Sequence, residues 1–161
     1  MAEEIKDISL STKKSYRIDG DNSRIIYLDT SDMNVIVRLE EAYPDIQKLA
    51  VEAGDRILAS KDNTSSEEDG EETSSLNDIT EILKDIDKKM RAKIDYIFAS
   101  EVADICVPTG NMYDPVNGEF RFEHVVEVLA GLYANNINDE FKKMQERVKK
   151  HTAKYANRRR K

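Results

Sequence analysis

Two side chains in this sequence have the chemistry of a nucleophile and its base. They are Cys106, the only cysteine, and His124, one of two histidines, and both fall in CVPTGNMYDPVNGEFRFEH, residues 106–124. A cysteine nucleophile needs its thiolate and a base within hydrogen-bond reach, and no motif that would supply this surrounds either residue. Zinc needs three or four Cys, His or carboxylate ligands at defined spacing, and there is no CxxC or HxxxH pair here. A calcium loop needs acids or amides at alternate positions before its glycine, which Asp114-Pro115-Val116-Asn117-Gly118 does not supply. The same residues do carry strong turn chemistry. Asp114-Pro115 initiates turns, and Asn117-Gly118 is the strongest short hairpin signal. Met112-Tyr113 and Phe120-Arg121-Phe122 are then expected to pair as a small ribbon between two helices. The stretch reads as a corner in the chain.

Elsewhere there is no Walker A sequence, GxGxxG, GxSxG or HExxH. The carboxylates are scattered as solvated helix faces scatter them. His151 reads as a packing residue or a cation near a helix C-terminus. No catalytic, cofactor-binding or metal-ligating residue is assigned, and the expectation is a protein that is not an enzyme.

The elements that would hold the corner can be followed along the chain. Ser15–Ile18 and Arg24–Leu28 are strand-like runs around Asp19-Gly20-Asp21-Asn22, so a hairpin is expected. Asp29-Thr30-Ser31-Asp32 offers N-caps for a helix whose apolar face would start with Met33, Ile36 and Val37. Pro44 disfavours helical geometry at Tyr43. The first helix should therefore end or kink there, with Pro44 equally suited to open the next. In that next helix Ile46, Leu49, Ala50, Ala53, Ile57 and Leu58 form one stripe. Asp62 to Ser75 holds six acids, no base and no apolar residue, and is expected to be a disordered acidic linker. From Leu76 a long amphipathic helix is expected through Ile94, Ile97 and Phe98 as far as Val102 and Ile105, ended by Pro108 and Gly110. Phe122, Val125, Val126, Leu129, Leu132 and Tyr133 mark another helix. Asn135 to Asp139 interrupt it, with Asn138 or Asp139 capping a last one. There Phe141, Met144, Val148, His151 and Tyr155 alternate steps of three and four, a coiled-coil-like seam about two heptads long.

The expected architecture is mainly α: a helical bundle with an N-terminal β-hairpin, the acidic linker and a long C-terminal helix. Residues 1–61 would hold the hairpin and first helices, 62–75 the linker, and 76–161 the helical region that folds as one unit with the N-terminal part. With 161 residues, one domain is expected. Charged residues make up 35% of the chain, above the usual ~25%, which favours long, surface-rich helices over a deep core. No apolar run approaches the ~18–20 residues of a membrane span, and the N-terminus lacks a signal-peptide apolar region. A lone cysteine points to a reducing cytosol.

The net charge of −7 is unevenly spread. Phe141–Lys161 carries ten Lys/Arg against one acid, Glu146, a net of +9, which leaves −16 on residues 1–140. Such blocks mark an interaction tail or a contact between copies, or else a solvated helix with a basic end. Phe141, Met144, Val148 and Tyr155, with Lys149 and Lys150 beside them, are the candidate partner-binding residues.

KKSYRIDGDNSRIIYLDTSDMNVIVRLEEAYPDI, DIDKKMRAKIDYIFASEVADICVPTGNMYDPVNGEFRFEHVVEVLAGLY and EFKKMQERVKKHTAKY together resemble small tail-module proteins of phages and prophages of Gram-positive bacteria. These are similar in role to tail assembly chaperones encoded just ahead of the tape measure protein. The resemblance covers most of the chain outside the acidic linker, and its most distinctive part is the MYDPVNGEFRFEH corner. It implies a helical, non-enzymatic protein in the cytoplasm of the bacterial host. Such a protein coats the tape measure protein, helps recruit tail tube subunits, self-associates and leaves the mature virion. It also implies a longer product made by ribosomal frameshifting. The N-terminal hairpin and acidic insert depart from the simplest members.

Two other functions are compatible with the residues. One is a structural tail or connector component that stays in the particle. The other is a nucleic-acid binder using Lys149, Lys150, Lys154, Arg158, Arg159, Arg160 and Lys161. Phosphate-driven binding favours a basic domain, whereas this chain has a pI near 5.0, which argues against nucleic acid as the partner.

Overall fold

The computed structural model describes the backbone of residues 3–63 and 72–159, and the side chains of 3–60 and 77–154. It is mainly helical. In chain order the elements are β1 (Lys14–Arg17), β2 (Ile25–Leu28), α1 (Asn34–Asn63), α2 (Glu72–Phe98) and α3 (Ala103–Cys106). They are followed by β3 (Pro115–Val116), β4 (Glu119–Phe120) and α4 (Arg121–Arg159).

The N-terminal hairpin forms where expected. β1 and β2 are antiparallel, with Lys14 opposite Leu28 and Arg17 opposite Ile25. Asp19 and Gly20 take positive φ at its tip, +51° and +72°, which Gly accepts without cost and Asp tolerates. Alternation then sends Ile26 and Leu28 into the core while Tyr27 faces solvent.

α1 begins after Asp32, whose Oδ1 accepts the Asn34 N–H at 3.0 Å. It runs unbroken through Pro44, so the two helices expected on either side of Tyr43 are one. Proline removes one helical donor and costs about 3 kcal/mol or more inside a helix. Ala42 before it and Ile46, Ala50 and Ala53 after it all bury on the same core, and that packing outweighs the break. The face expected from Met33, Ile36 and Val37 is turned outward. All three are about half exposed, and Val35 is buried instead. Of the following stripe, Leu58 lies outside the core.

The acidic stretch joins α1 to α2. Asp62 and Asn63 complete α1 and Glu72 opens α2, so its two ends are helical. The rest of the expected linker, 64–71, lies outside the described residues.

α2 packs along α1 and buries Ile86, Met90, Ile94, Ile97 and Phe98. It stops at Phe98, short of the expected Ile105. Ala99 has φ of +50°, its N–H reaches the Tyr96 carbonyl at 3.3 Å, and the Ser100 N–H reaches the Asp95 carbonyl at 3.2 Å. Those two bonds are a Schellman stop with alanine at the position usually held by glycine. After it, Asp95 Oδ1 accepts the N–H groups of Val102 and Ala103 at 2.9 and 2.8 Å, which starts the single turn of α3.

The Asn117-Gly118 hairpin is present but tighter than expected. Pro115 pairs with Phe120 and Val116 with Glu119 around positive φ at Asn117 (+55°) and Gly118 (+82°). Met112 joins only through its carbonyl, which accepts the Phe122 N–H at 2.9 Å. α4 then runs without interruption, and neither Asn138 nor Asp139 caps a new helix. Asn136 is held by tertiary bonds: its Nδ2 donates to the Thr30 carbonyl at 3.2 Å and its Oδ1 accepts from Lys14 Nζ at 3.1 Å. An amide used in that way no longer competes with the helix backbone.

One apolar cluster joins these parts. Phe122, Val126, Leu129 and Tyr133 of α4 bury with Ile26 and Leu28 of the hairpin and the inner faces of α1 and α2. Each fully buried isoleucine or phenylalanine contributes roughly 1.5–3 kcal/mol.

Candidate functional site

The corner from Cys106 to His124 is built by arginines that satisfy backbone carbonyls. Arg91 pairs with Asp87 at 2.7 Å and Asp104 at 3.0 Å. Its other donors reach the carbonyls of Val107 and Gly110, each at 2.9 Å. Asp87 uses its second oxygen to accept the Met112 N–H at 2.7 Å. Arg24 donates to the carbonyls of Ile105 and Cys106 at 2.9 and 2.8 Å, and Arg121 donates to that of Thr109 at 3.0 Å. Arg38 closes the end of α2 through the Ile97 carbonyl at 2.8 Å while pairing with Asp32 at 2.7 Å. These guanidinium groups take the place of backbone partners that irregular chain would otherwise lack.

Cys106 is half-buried, and its thiol is pushed up to about 11, chiefly by burial and against the pull of Arg24. At neutral pH it is almost wholly protonated and a poor nucleophile. His124 is exposed on the first turn of α4. Among the described residues no three His, Cys, Asp or Glu side chains are grouped to hold a metal ion.

What stands out instead is apolar surface on α4. Phe122, Val126, Leu129 and Tyr133 are buried and Ile137 is half-buried. The line then continues past the bundle as Phe141, Met144 and Val148, which are 43%, 56% and 61% exposed. Every described side chain from 141 to 154 faces solvent. Lys149 and Lys150 border this strip, whereas the Tyr155 side chain lies outside the described residues.

A second apolar surface lies beside the first half of the same helix. Between α1 and α4 a groove of about 670 Å³ is floored by Leu39, Tyr43, Pro44, Val126 and Ala130. Glu40, Glu119, Glu123 and Glu127 stand around it. The glutamates that form ion pairs among the described residues are Glu52, Glu81 and Glu140, none of them here. The field is felt locally. Tyr43 has its phenol pushed up by burial first and then by Glu123, Glu119 and Glu127.

No family model, curated protein or solved structure matches the chain. The site therefore rests on its own geometry. Of the residues singled out in the sequence, Phe141, Met144, Val148, Lys149 and Lys150 share one exposed stretch of helix. Cys106 and His124 belong to the corner. Two features escaped the sequence reading. The arginine network carried a faint signal in Asp87 and Arg91, an i,i+4 pair next to core residue Met90. The groove carried none, because its walls come from segments about 80 residues apart. Among the described residues no helix is long and apolar enough to cross a membrane.

Proposed function

We propose that this protein is a phage tail assembly chaperone. It binds the tape measure protein as an amphipathic helix, keeps it soluble in the cytoplasm of the bacterial host and helps bring tail tube subunits to it. The work is done by protein–protein contact, without catalysis or cofactor, and the protein departs before the virion is complete. The phage setting rests on the sequence resemblance. The contact mode is supported by one observation: the core stripe of α4 continues for about two turns beyond the bundle as Phe141, Met144 and Val148, exposed and flanked by lysines.

An exposed strip of that kind suits a helix-in-groove contact, in which regularly spaced apolar anchors give affinity and the flanking charges give orientation. A long amphipathic client left bare would aggregate through its own apolar face, and covering that face is what a chaperone of this class must do.

The test is co-expression with the long helical open reading frame expected beside this gene. Wild-type protein should keep that client in the soluble fraction. Met144→Asp with Val148→Asp places two charges in an exposed strip, so the bundle stays folded while soluble client falls at least fivefold. Equal solubilisation by the double variant would end the proposal. Tight binding of the wild type to duplex DNA at physiological salt would replace it with the nucleic-acid reading.

A further inference from the structure

The acidic groove and the basic strip lie on one face of one helix. Along α4, Glu123, Val126 and Ala130 advance by steps of three and four, and Phe141, Met144 and Val148 continue the same line, while Glu119 reaches the groove from β4. Val126 and Met144 are about five whole turns apart at 3.6 residues per turn, so they share a bearing. The groove is apolar with a rim of four glutamates, while the strip is apolar with Lys142 and Lys149 on one edge. Each is the chemical complement of the other.

They cannot meet within one chain. α4 is continuous from Arg121 to Arg159 and itself forms one wall of the groove, so its far end cannot fold back onto it. A second copy meets the condition. If two α4 helices lie antiparallel about a two-fold axis near Asn135 and Asn136, Ala130 comes level with Phe141 of the other copy. Val126 then meets Gln145, Glu127 meets Met144 and Glu123 meets Val148. A two-fold axis requires the same face of both helices and brings like edges together. Glu127 stands on the edge of the line that Lys142 and Lys149 occupy further along, so the acids of each copy face the lysines of the other. Ala134, small and exposed, sits on the shared face at the crossing and lets the helices approach closely.

We propose that the protein is an antiparallel homodimer in which the C-terminal half of each α4 docks in the groove between α1 and α4 of its partner copy. The pairing concerns the same strip as the client contact above, and it gives that strip a partner when no client is present. Its test needs no client, so failure of the chaperone reading and failure of the dimer are separate results.

The experiment is sedimentation equilibrium of the full chain with charge reversals on exposed side chains. Wild type should be a dimer at low salt, with a Kd that rises as salt screens the glutamate–lysine contacts. Glu40→Lys with Glu127→Lys should raise the Kd at least tenfold, and Lys142→Glu with Lys149→Glu should do the same. All four positions are exposed, and unchanged circular dichroism would report an intact fold. An equimolar mixture of the two variants restores both contacts in a heterodimer, so the mixture should associate with a Kd within about threefold of wild type. A wild type that stays monomeric overturns the proposal. So does a dimer that neither double variant weakens, or one whose loss the mixture fails to repair.

Discussion

Arg91 ties α2 to α3 and to the loop that follows it. Its guanidinium is largely enclosed, paired with Asp87 and Asp104 and bonded to the carbonyls of Val107 and Gly110, while Asp87 holds the Met112 N–H. Removing the cation would leave the mostly buried Asp87 carboxylate with only the Met112 N–H and take the side-chain donor from the part-buried Val107 carbonyl, and under-satisfied buried groups cost more than the bonds themselves contribute. Arg91→Met should therefore destabilise the protein by about 2–4 kcal/mol, the low end reflecting partial solvent access. Urea unfolding would measure it, and a loss below ~1 kcal/mol would show that the network is ornamental. Lysine at this position should recover little, because a point cation cannot reach two carbonyls and two carboxylates in one plane. Cys106 illustrates the opposite case. Its chemistry is conspicuous in the sequence, yet its thiol is half-buried with a raised pKa, and what Arg24 holds is the residue's own backbone carbonyl.

At the scale of elements, the hairpins were legible because their turns depend on local chemistry. Asp19-Gly20 and Asn117-Gly118 take the positive φ their residue types allow, and the strands follow. The helices were legible in existence but not in extent. Pro44 and Asn135-Asn136 are local breakers that tertiary packing and the Thr30 and Lys14 bonds override. The end of α2 was hidden for the converse reason. Its C-cap turn is complete in hydrogen bonds but uses Ala99 where glycine would have announced it. That choice carries strain, since a Cβ at positive φ costs roughly 1–2 kcal/mol. Ala99→Gly should relieve it and, after the extra entropy of the unfolded chain, still raise stability by about 0.5–1 kcal/mol. A rise in urea midpoint with unchanged slope would bear this out, and a fall would mean that the methyl group contributes packing that outweighs the strain.

For the molecule as a whole, the candidate site divides into a part the sequence displayed and a part it could not. Phe141, Met144 and Val148 were visible because a helix face is periodic in sequence. The groove was invisible because Leu39 and Tyr43 reach Val126 and Ala130 only after α1 and α4 fold together. This division also sets what the C-terminal half of α4 does for the fold. Its described side chains up to residue 154 are all exposed, so the bundle should not need it. Deleting residues 141–161 should change unfolding free energy by less than ~1 kcal/mol, since exposed positions seldom exceed about half a kcal/mol each in either direction. The measurement belongs at high dilution, where association adds nothing. Unfolding of the truncated chain under those conditions would assign the segment to the core.

The unbroken length of α4 also governs how the protein moves through water. Its 39 residues span about 58 Å at 1.5 Å per residue. A compact chain of this size would have a radius of gyration of only about 15 Å. The first half of α4 is packed in the bundle, and the part from Phe141 onward, about half of the helix's length, drags solvent out of proportion to its mass. One copy should therefore leave a gel-filtration column ahead of globular standards of equal weight. Its rotation should be strongly anisotropic, slow end over end and fast about the α4 axis.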